Sequence, residues 1–282
     1  MSKSKSQGLP YAEVIGDPIA HSKSPLIHNF WLEQLDIEAE YRKTCVTRDG
    51  LAAYFLARRA DDDWLGCNVT IPHKVAVMDY VDDPANIRGQ IGAMNTIACE
   101  TGGPLIGTNT DAGGFLQPLE QLKWRGSEAV LVGAGGAALA IGFALAARGL
   151  ETLTVMARDT AKGQALLDHI GLRGRVIGFA DPLPATRLLI NSSPLGMTGQ
   201  PALDLDLASL PDDATVYDIV YAPLETGLLR AARARELATI DGLGMLIGQA
   251  ALAFEIFFDA IPPRDDNDAA LRALLMQPAQ QA

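Results

Sequence analysis

The chain has 282 residues, room for two modest domains, and its 48% apolar and 20% charged residues are those of a folded chain rather than a disordered one. A formal net charge of −11 argues against nonspecific binding to nucleic acid or to an anionic membrane face, although a locally positive site can still hold a small anion. The three cysteines, Cys45, Cys67 and Cys99, are scattered without metal-ligand spacing, which fits a reducing compartment and a cytoplasmic location, with Cys67 read as a small buried strand residue.

The opening MSKSKSQG is polar, carries no secretory pattern and is expected to be loose. YAEVIG (11–16) reads as a strand, and SPLIHNFWLEQL (24–35) as a helix with Ser24 at the N-cap and Pro25 at the first helical position. EYRKTCVT (40–47) is a strand, GLAAYFLARR (50–59) a helix and WLGCNVT (64–70) a strand. PHKVAVMDYV (72–81) reads as a helix beginning at Pro72. GAMNTIACE and PLIGTNT flank Thr101-Gly102-Gly103, the pattern of a hairpin. DAGGFLQPLE follows as a helix, in which Pro118 removes one backbone hydrogen bond and should introduce a kink.

A second alternating block then begins. AVLVGAGG (129–136) is an apolar strand running into glycines, AALAIGFALAARG a helix, and TLTVMA (152–157), RVIGF, RLLINSS and TVYDIVY supply further strands. Apolar strands alternating with helices imply a parallel sheet covered on both faces. The apolar stretch MLIGQAALAFEIFF falls short of the roughly 20 residues of a membrane span, carries Gln249 and Glu255, and reads as packed core. No strand separates the last helices, from Met245 on, so they are expected to return to the first block. The fold class is therefore α/β: two α/β domains with a cleft between them, an N-terminal domain with a mainly parallel sheet (1–110 and 243–282) and an inserted Rossmann-like domain (111–242).

VLVGAGGAALA is the strongest local signature. Gly133, Gly135 and Ala138 fit G-x-G-x-x-A between a buried strand and a helix, so Gly133, Ala134, Gly135, Gly136 and Ala137 form a dinucleotide-binding turn. The next strand ends at Ala157, followed by Arg158 and, four residues on, Lys162. A small residue and two cations leave space and charge for a 2′-phosphate, which favours NADP over NAD. Asp159 complicates this, because it could pair with Arg158 or turn inward to a ribose hydroxyl. The four histidines do not form a metal site; His73 flanks Lys74, with its side chain diverging by about 100° if the segment is helical.

Together, GDPIAHSKSP (16–25), GCNVTIPHK (66–74), GAMNT (92–96), GTNTDAGG (107–114), VGAGGA (132–137), INSSPLGM (190–197), YDIVY (217–221) and DGLGMLIGQAA (241–251) resemble, in order, the motifs of the shikimate dehydrogenase family. The resemblance runs from Val14 to about Phe258. It implies reduction of 3-dehydroshikimate to shikimate with NADPH, with Lys74 as acid/base and Asp111 paired with it. It also gives Ser22 and Ser24 to the substrate carboxylate, with Lys23 pointing outward. Asn68, Thr70, Asn95 and Gln249 would hold polar groups of the substrate ring, and Tyr221 would close over it. Ser192, Ile219, Gly242 and Met245 are expected beside the nicotinamide. Two departures stand out: Ala157-Arg158-Asp159 replaces the usual N-R-T, and Leu139 replaces an arginine common after the glycine turn.

Two other readings fit fewer of these residues: a quinate/shikimate dehydrogenase using NAD or both cofactors, and a noncatalytic ligand-sensing paralogue. With no exposed heptad or self-complementary strand, monomer and homodimer are both open.

Overall fold

The computed structural model describes residues 8–99, 103–121, 127–264 and 267–277. The polar opening up to Gln7, and Thr101 and Gly102 of the expected hairpin turn, lie outside the described residues. The chain divides into two compact units, the first from described parts of Met1–Arg88, Ala93–Thr110 and Ala250–Ala282, the second from Gly89–Gly92 and described parts of Asp111–Gln249.

The first unit contains β1 (Tyr11–Gly16), α1 (Ser24–Gln34), β2 (Glu40–Cys45), α2 (Leu51–Arg58) and β3 (Trp64–Val69). A 3-10 turn (Ala76–Tyr80) and α3 (Ile87–Gln90) lead to β4 (Thr96–Cys99) and β5 (Leu105–Thr108). The sheet order is β2-β1-β3-β4-β5. β1 pairs in parallel with β2 and β3, and the β4–β5 hairpin closes the sheet antiparallel. β1 is buried at every position because both its faces are covered. Tyr11 and Ile15 join a core with Phe55, Trp64 and Met94, whereas Ala12 and Val14 pack with Tyr41, Ala253 and Phe257. Cys67 in β3 is fully buried, as its apolar surroundings in the sequence implied.

The second unit holds α4 (Asp111–Gln121), β6 (Glu128–Val132), α5 (Gly136–Ala147), β7 (Thr152–Met156), α6 (Thr160–Ile170), β8 (Arg173–Ile177), β9 (Leu188–Asn191), β10 (Thr215–Asp218), α7 (Gly227–Ala234) and β11 (Ala238–Ile240). All pairings of its sheet are parallel, in the order β11-β10-β9-β6-β7-β8. Counted from β6, that is the 3-2-1-4-5-6 arrangement of a doubly wound dinucleotide fold. α8 (Gly242–Phe258) contributes to this unit as far as Gln249, and from Ala250 its residues belong to the first unit, as does α9 (Asn267–Met276).

Three local expectations are corrected. The N-cap of α1 is Lys23, not Ser24, because the Ser22 hydroxyl oxygen accepts the Ser24 N–H at 3.3 Å and the helix winds one residue earlier. Lys23 does not point outward: its ammonium donates to the Leu275 carbonyl near the end of α9, where helix carbonyls lack partners and the dipole is negative. The helix expected from Pro72 is a turn followed by the 3-10 segment, since the Lys74 carbonyl accepts the Met94 N–H at 2.8 Å instead of feeding an α-helical ladder. His73, read as a flank of Lys74, points inward. It is fully buried, with Nε2 2.6 Å from the Val46 carbonyl.

Candidate active site

In the first unit the order β2-β1-β3 reverses direction between β1 and β3, and open α/β sheets bind ligands beyond the strand ends at such a point. The segments leaving those ends carry Ser22 and Ser24 after β1, and Thr70 and Lys74 after β3. They are laced together, since the Thr70 N–H donates to the Ile15 carbonyl at 2.9 Å and the Asp17 N–H to the Ile71 carbonyl at 3.2 Å. Ser24 is buried at the start of α1, while Ser22, Thr70 and Lys74 are half-buried. Because the Ser22 oxygen accepts from the Ser24 N–H, its hydroxyl proton is directed elsewhere, beside the positive end of the α1 dipole. Lys74 is held through its backbone by Met94 and through its neighbour by the His73–Val46 contact. The turn therefore has little freedom to redirect its ammonium.

Asn68 and Asn95 lie behind these residues, 5% and 2% exposed. The Asn68 amide donates to the Asn95 carbonyl at 3.2 Å and to Thr96 Oγ1 at 2.9 Å, and its Oδ1 accepts from the Tyr41 hydroxyl at 2.6 Å. Asn95 Oδ1 accepts the Thr110 N–H at 2.7 Å, and its Nδ2 donates to Thr110 Oγ1 at 2.9 Å. These asparagines are thus framework as well as candidate ligand groups.

In the second unit the switch point falls between β6 and β9. β6 ends at Val132, and Gly133 turns the chain with φ of 107°, a conformation that side chains strain to adopt. A Cβ on Gly133 would lie 2.9 Å from Ser192 Oγ, whereas beside Gly135 there is open space. Gly135 is the extended N-cap of α5, so Gly133, Ala134, Gly135, Gly136 and Ala137 form a cradle with no side chain larger than methyl at a helix start, and that fits a pyrophosphate. Ser192 is fixed by donating to the Val132 carbonyl at 2.7 Å. Gly242 is pressed against Ile219, where a Cβ would come within 2.3 Å of the Ile219 carbonyl oxygen.

At the end of β7, Ala157 is buried and Arg158 exposed. Asp159 caps α6, accepting the Lys162 N–H at 3.2 Å, with Lys162 Nζ 3.9 Å from its other oxygen. Its carboxylate is turned to its own helix. Asp111 is nearly buried in the first turn of α4, where the dipole favours a carboxylate. Gln249 and Met245 are buried in α8, with Gln249 Nε2 donating to the Leu246 carbonyl at 2.9 Å, and Tyr221 is half-buried past the end of β10.

Sequence reading passed over the groups that hold these loops. Fully buried Asn191 donates to Asp218 at 2.9 Å, and Asp218 accepts from Val220 N–H at 3.0 Å and the Thr226 hydroxyl at 2.7 Å. Burial pushes the Asp218 carboxyl above its ordinary value, against these three hydrogen bonds. Both residues sit inside the motifs INSSP and YDIVY, and a polar residue closing an apolar strand was the available signal. Glu13 was also missed: fully buried in β1, it meets Arg58 Nε at 2.6 Å and the Tyr54 hydroxyl at 2.7 Å.

The family model of the shikimate dehydrogenase substrate binding domain matches residues 14–97, and that of the shikimate 5′-dehydrogenase C-terminal domain matches residues 242–272. The chain is similar to the shikimate dehydrogenase (NADP(+)) of Sphingopyxis alaskensis, 60% identical over 267 residues that cover 95% of this chain and 97% of the relative. Among solved structures, it is similar to a shikimate dehydrogenase in complex with NADP+, with TM-score 0.86, 32% identity and coverage of 95% and 96% of the two chains. A second is the shikimate 5-dehydrogenase of Thermus thermophilus in complex with NADP(H) and shikimate, with TM-score 0.81, 34% identity and coverage of 94% and 99%.

Proposed function

The chain belongs to the shikimate dehydrogenase family, and we propose that it catalyses the reversible NADP-dependent reduction of 3-dehydroshikimate to shikimate, a step in making aromatic amino acids. The observation that carries this reading is the 60% identity, over nearly the whole of both chains, to a shikimate dehydrogenase (NADP(+)). The first unit is the substrate domain and the second the NADP domain.

When bound, NADPH supplies the hydride. Reduction of a ketone builds negative charge on its oxygen, and the Lys74 ammonium stabilises that charge and delivers a proton. In the oxidation direction the Lys74 amine removes the same proton. Asp111 is its carboxylate partner. Ser22 donates its hydroxyl proton to the substrate carboxylate, supported by the positive end of α1 and by Ser24. Asn68 has both amide hydrogens engaged, so it serves the ring hydroxyls as an acceptor. Thr70, Asn95, Gln249 and Tyr221 complete the substrate contacts. Ser192, Ile219, Gly242 and Met245 lie along the nicotinamide. Arg158 and Lys162 meet the 2′-phosphate, and capping of α6 by Asp159 supports NADP over NAD, since that carboxylate is engaged away from a ribose.

The test is steady-state oxidation of shikimate by the purified protein, with NADP+ and NAD+ side by side and quinate as second substrate. Fast turnover confined to shikimate and NADP+ is expected. Comparable turnover with NAD+ or quinate would overturn the assigned specificity, and no turnover with any pair would overturn the reading itself.

A further inference from the structure

The hydrogen-bond directions behind the first unit's site can be derived from two backbone groups whose roles are not adjustable. The Asn95 carbonyl can only accept, so the Asn68 atom 3.2 Å from it is the amide nitrogen. Asn68 Oδ1 then faces the Tyr41 hydroxyl at 2.6 Å, and that hydroxyl donates. The Thr110 N–H can only donate, so the Asn95 atom 2.7 Å from it is Oδ1. Thr96 links the two amides: its Oγ1 accepts from Asn68 Nδ2 at 2.9 Å and donates to Asn95 Oδ1 at 3.1 Å. Tyr41, Asn68, Asn95, Thr96 and Thr110 are all buried, with exposures from 0% to 5%, so no bulk water competes for these bonds.

Tyr41 is itself immobilised. It stands in β2, its ring stacked on His28 with centroids 3.9 Å apart and planes 4° from parallel. The Asn29 side chain brackets its backbone, donating to the Tyr41 carbonyl at 2.9 Å and accepting its N–H at 2.8 Å. The hydroxyl is thus delivered to Asn68 from a rigid strand.

We infer that Tyr41 is a positioning residue for the reaction, its hydroxyl fixing the Asn68 amide as an oriented acceptor and, through Thr96, holding the Asn95 amide in register with it. This rests on the proposed role of Asn68 and Asn95 toward the substrate. Tyr41 touches neither substrate nor cofactor in this account. Without its hydroxyl, Asn68 Oδ1 loses its donor and the amide is held only through Nδ2, so its oxygen is less firmly oriented toward the ring hydroxyls.

The experiment is steady-state kinetics of shikimate oxidation for the wild type, Tyr41→Phe, Thr96→Val and Thr96→Ser, with thermal melting of each. Tyr41→Phe keeps the stacked ring and should lower kcat/KM for shikimate about tenfold while leaving KM for NADP+ unchanged, the scale expected for one buried hydrogen bond. Thr96→Val should act likewise, and Thr96→Ser, which keeps the hydroxyl, should restore wild-type kinetics. Unchanged shikimate kinetics in folded Tyr41→Phe, whatever its melting temperature, overturn the inference, as does a parallel loss in the shikimate and NADP+ parameters. Should Tyr41→Phe not fold, the Thr96 pair decides, and wild-type kinetics in Thr96→Val overturn the inference. A wild-type protein that does not oxidise shikimate overturns instead the reading on which it rests.

Discussion

Lys74, the proposed acid/base group, sits in a turn whose backbone is closely held. Its carbonyl is tied to Met94, and the buried His73 beside it is tied to Val46. Lys74→Ala removes the ammonium without touching either tie. It should retain the fold and nucleotide binding while kcat falls by about 10²–10⁴-fold, the usual weight of a positioned acid/base group. Steady-state turnover beside circular dichroism reads this, and near-wild-type turnover in a folded variant would remove Lys74 from the mechanism. Lys74 was legible as a polar residue just behind an apolar strand end, but its role and those of the two serines came from the resemblance to the shikimate dehydrogenase motifs. The supporting roles of Tyr41 and His73 were not legible, because in a linear sequence each is an ordinary polar or aromatic residue and only its partner, 27 positions away in both hydrogen bonds, gives it a role.

At the scale of elements, α4 and α8 meet through glycines. A Cβ on Gly114 would lie 2.4 Å from the Gln249 backbone nitrogen, and one on Gly244 2.7 Å from the Pro118 ring. Pro118 therefore has a structural account: α4 continues through it, and its ring fills the space that Gly244 leaves. Gly114→Ala would push backbone against backbone and should destabilise the protein by about 1–3 kcal/mol, the common cost of overpacking. Urea unfolding measures it, and a variant as stable as the wild type would show that the helices part without strain. The same crossing carries Gln249, proposed as a ligand of the ring hydroxyls, and on that proposal this variant should also weaken shikimate binding. Helix α4 was predictable from its own sequence. The short α7 and β11 were passed over, because elements of eight and three residues give a sequence pattern few positions to repeat in.

For the whole molecule, stability and pH are linked through His28. It is fully buried among Tyr41, Trp31, Phe254, Phe257 and Phe258, neither ring nitrogen meets a hydrogen-bond partner among the described residues, and burial pushes its pKa down to about 3. A histidine held neutral in the fold takes up protons on unfolding. Its contribution is therefore fully present above the ordinary value of 6.5 and is lost as pH falls toward about 3. From neutrality to about pH 5 the wild type should lose about 2 kcal/mol more than His28→Phe, which retains the aromatic stack but cannot titrate. Denaturant melts across that range decide it, and parallel pH profiles would show that His28 is solvated or charged in the folded protein.

Resemblance to the shikimate dehydrogenase motifs supplied the residues proposed for chemistry, whereas the linear chain by itself determined the α/β class, the alternation of strands and helices, and the glycine turn at Gly133. Those features are local: periodicity, turn residues and strand ends express themselves over a few neighbours. Tertiary structure alone decided the antiparallel pairing of β3 with β4, the conversion of the segment after Pro72 into a turn, the inward capping by Lys23, and the direction of the Asn68 and Asn95 amides. Each depends on a backbone group far along the chain, whose position is set by sheet pairing and burial, and no short-range preference encodes it.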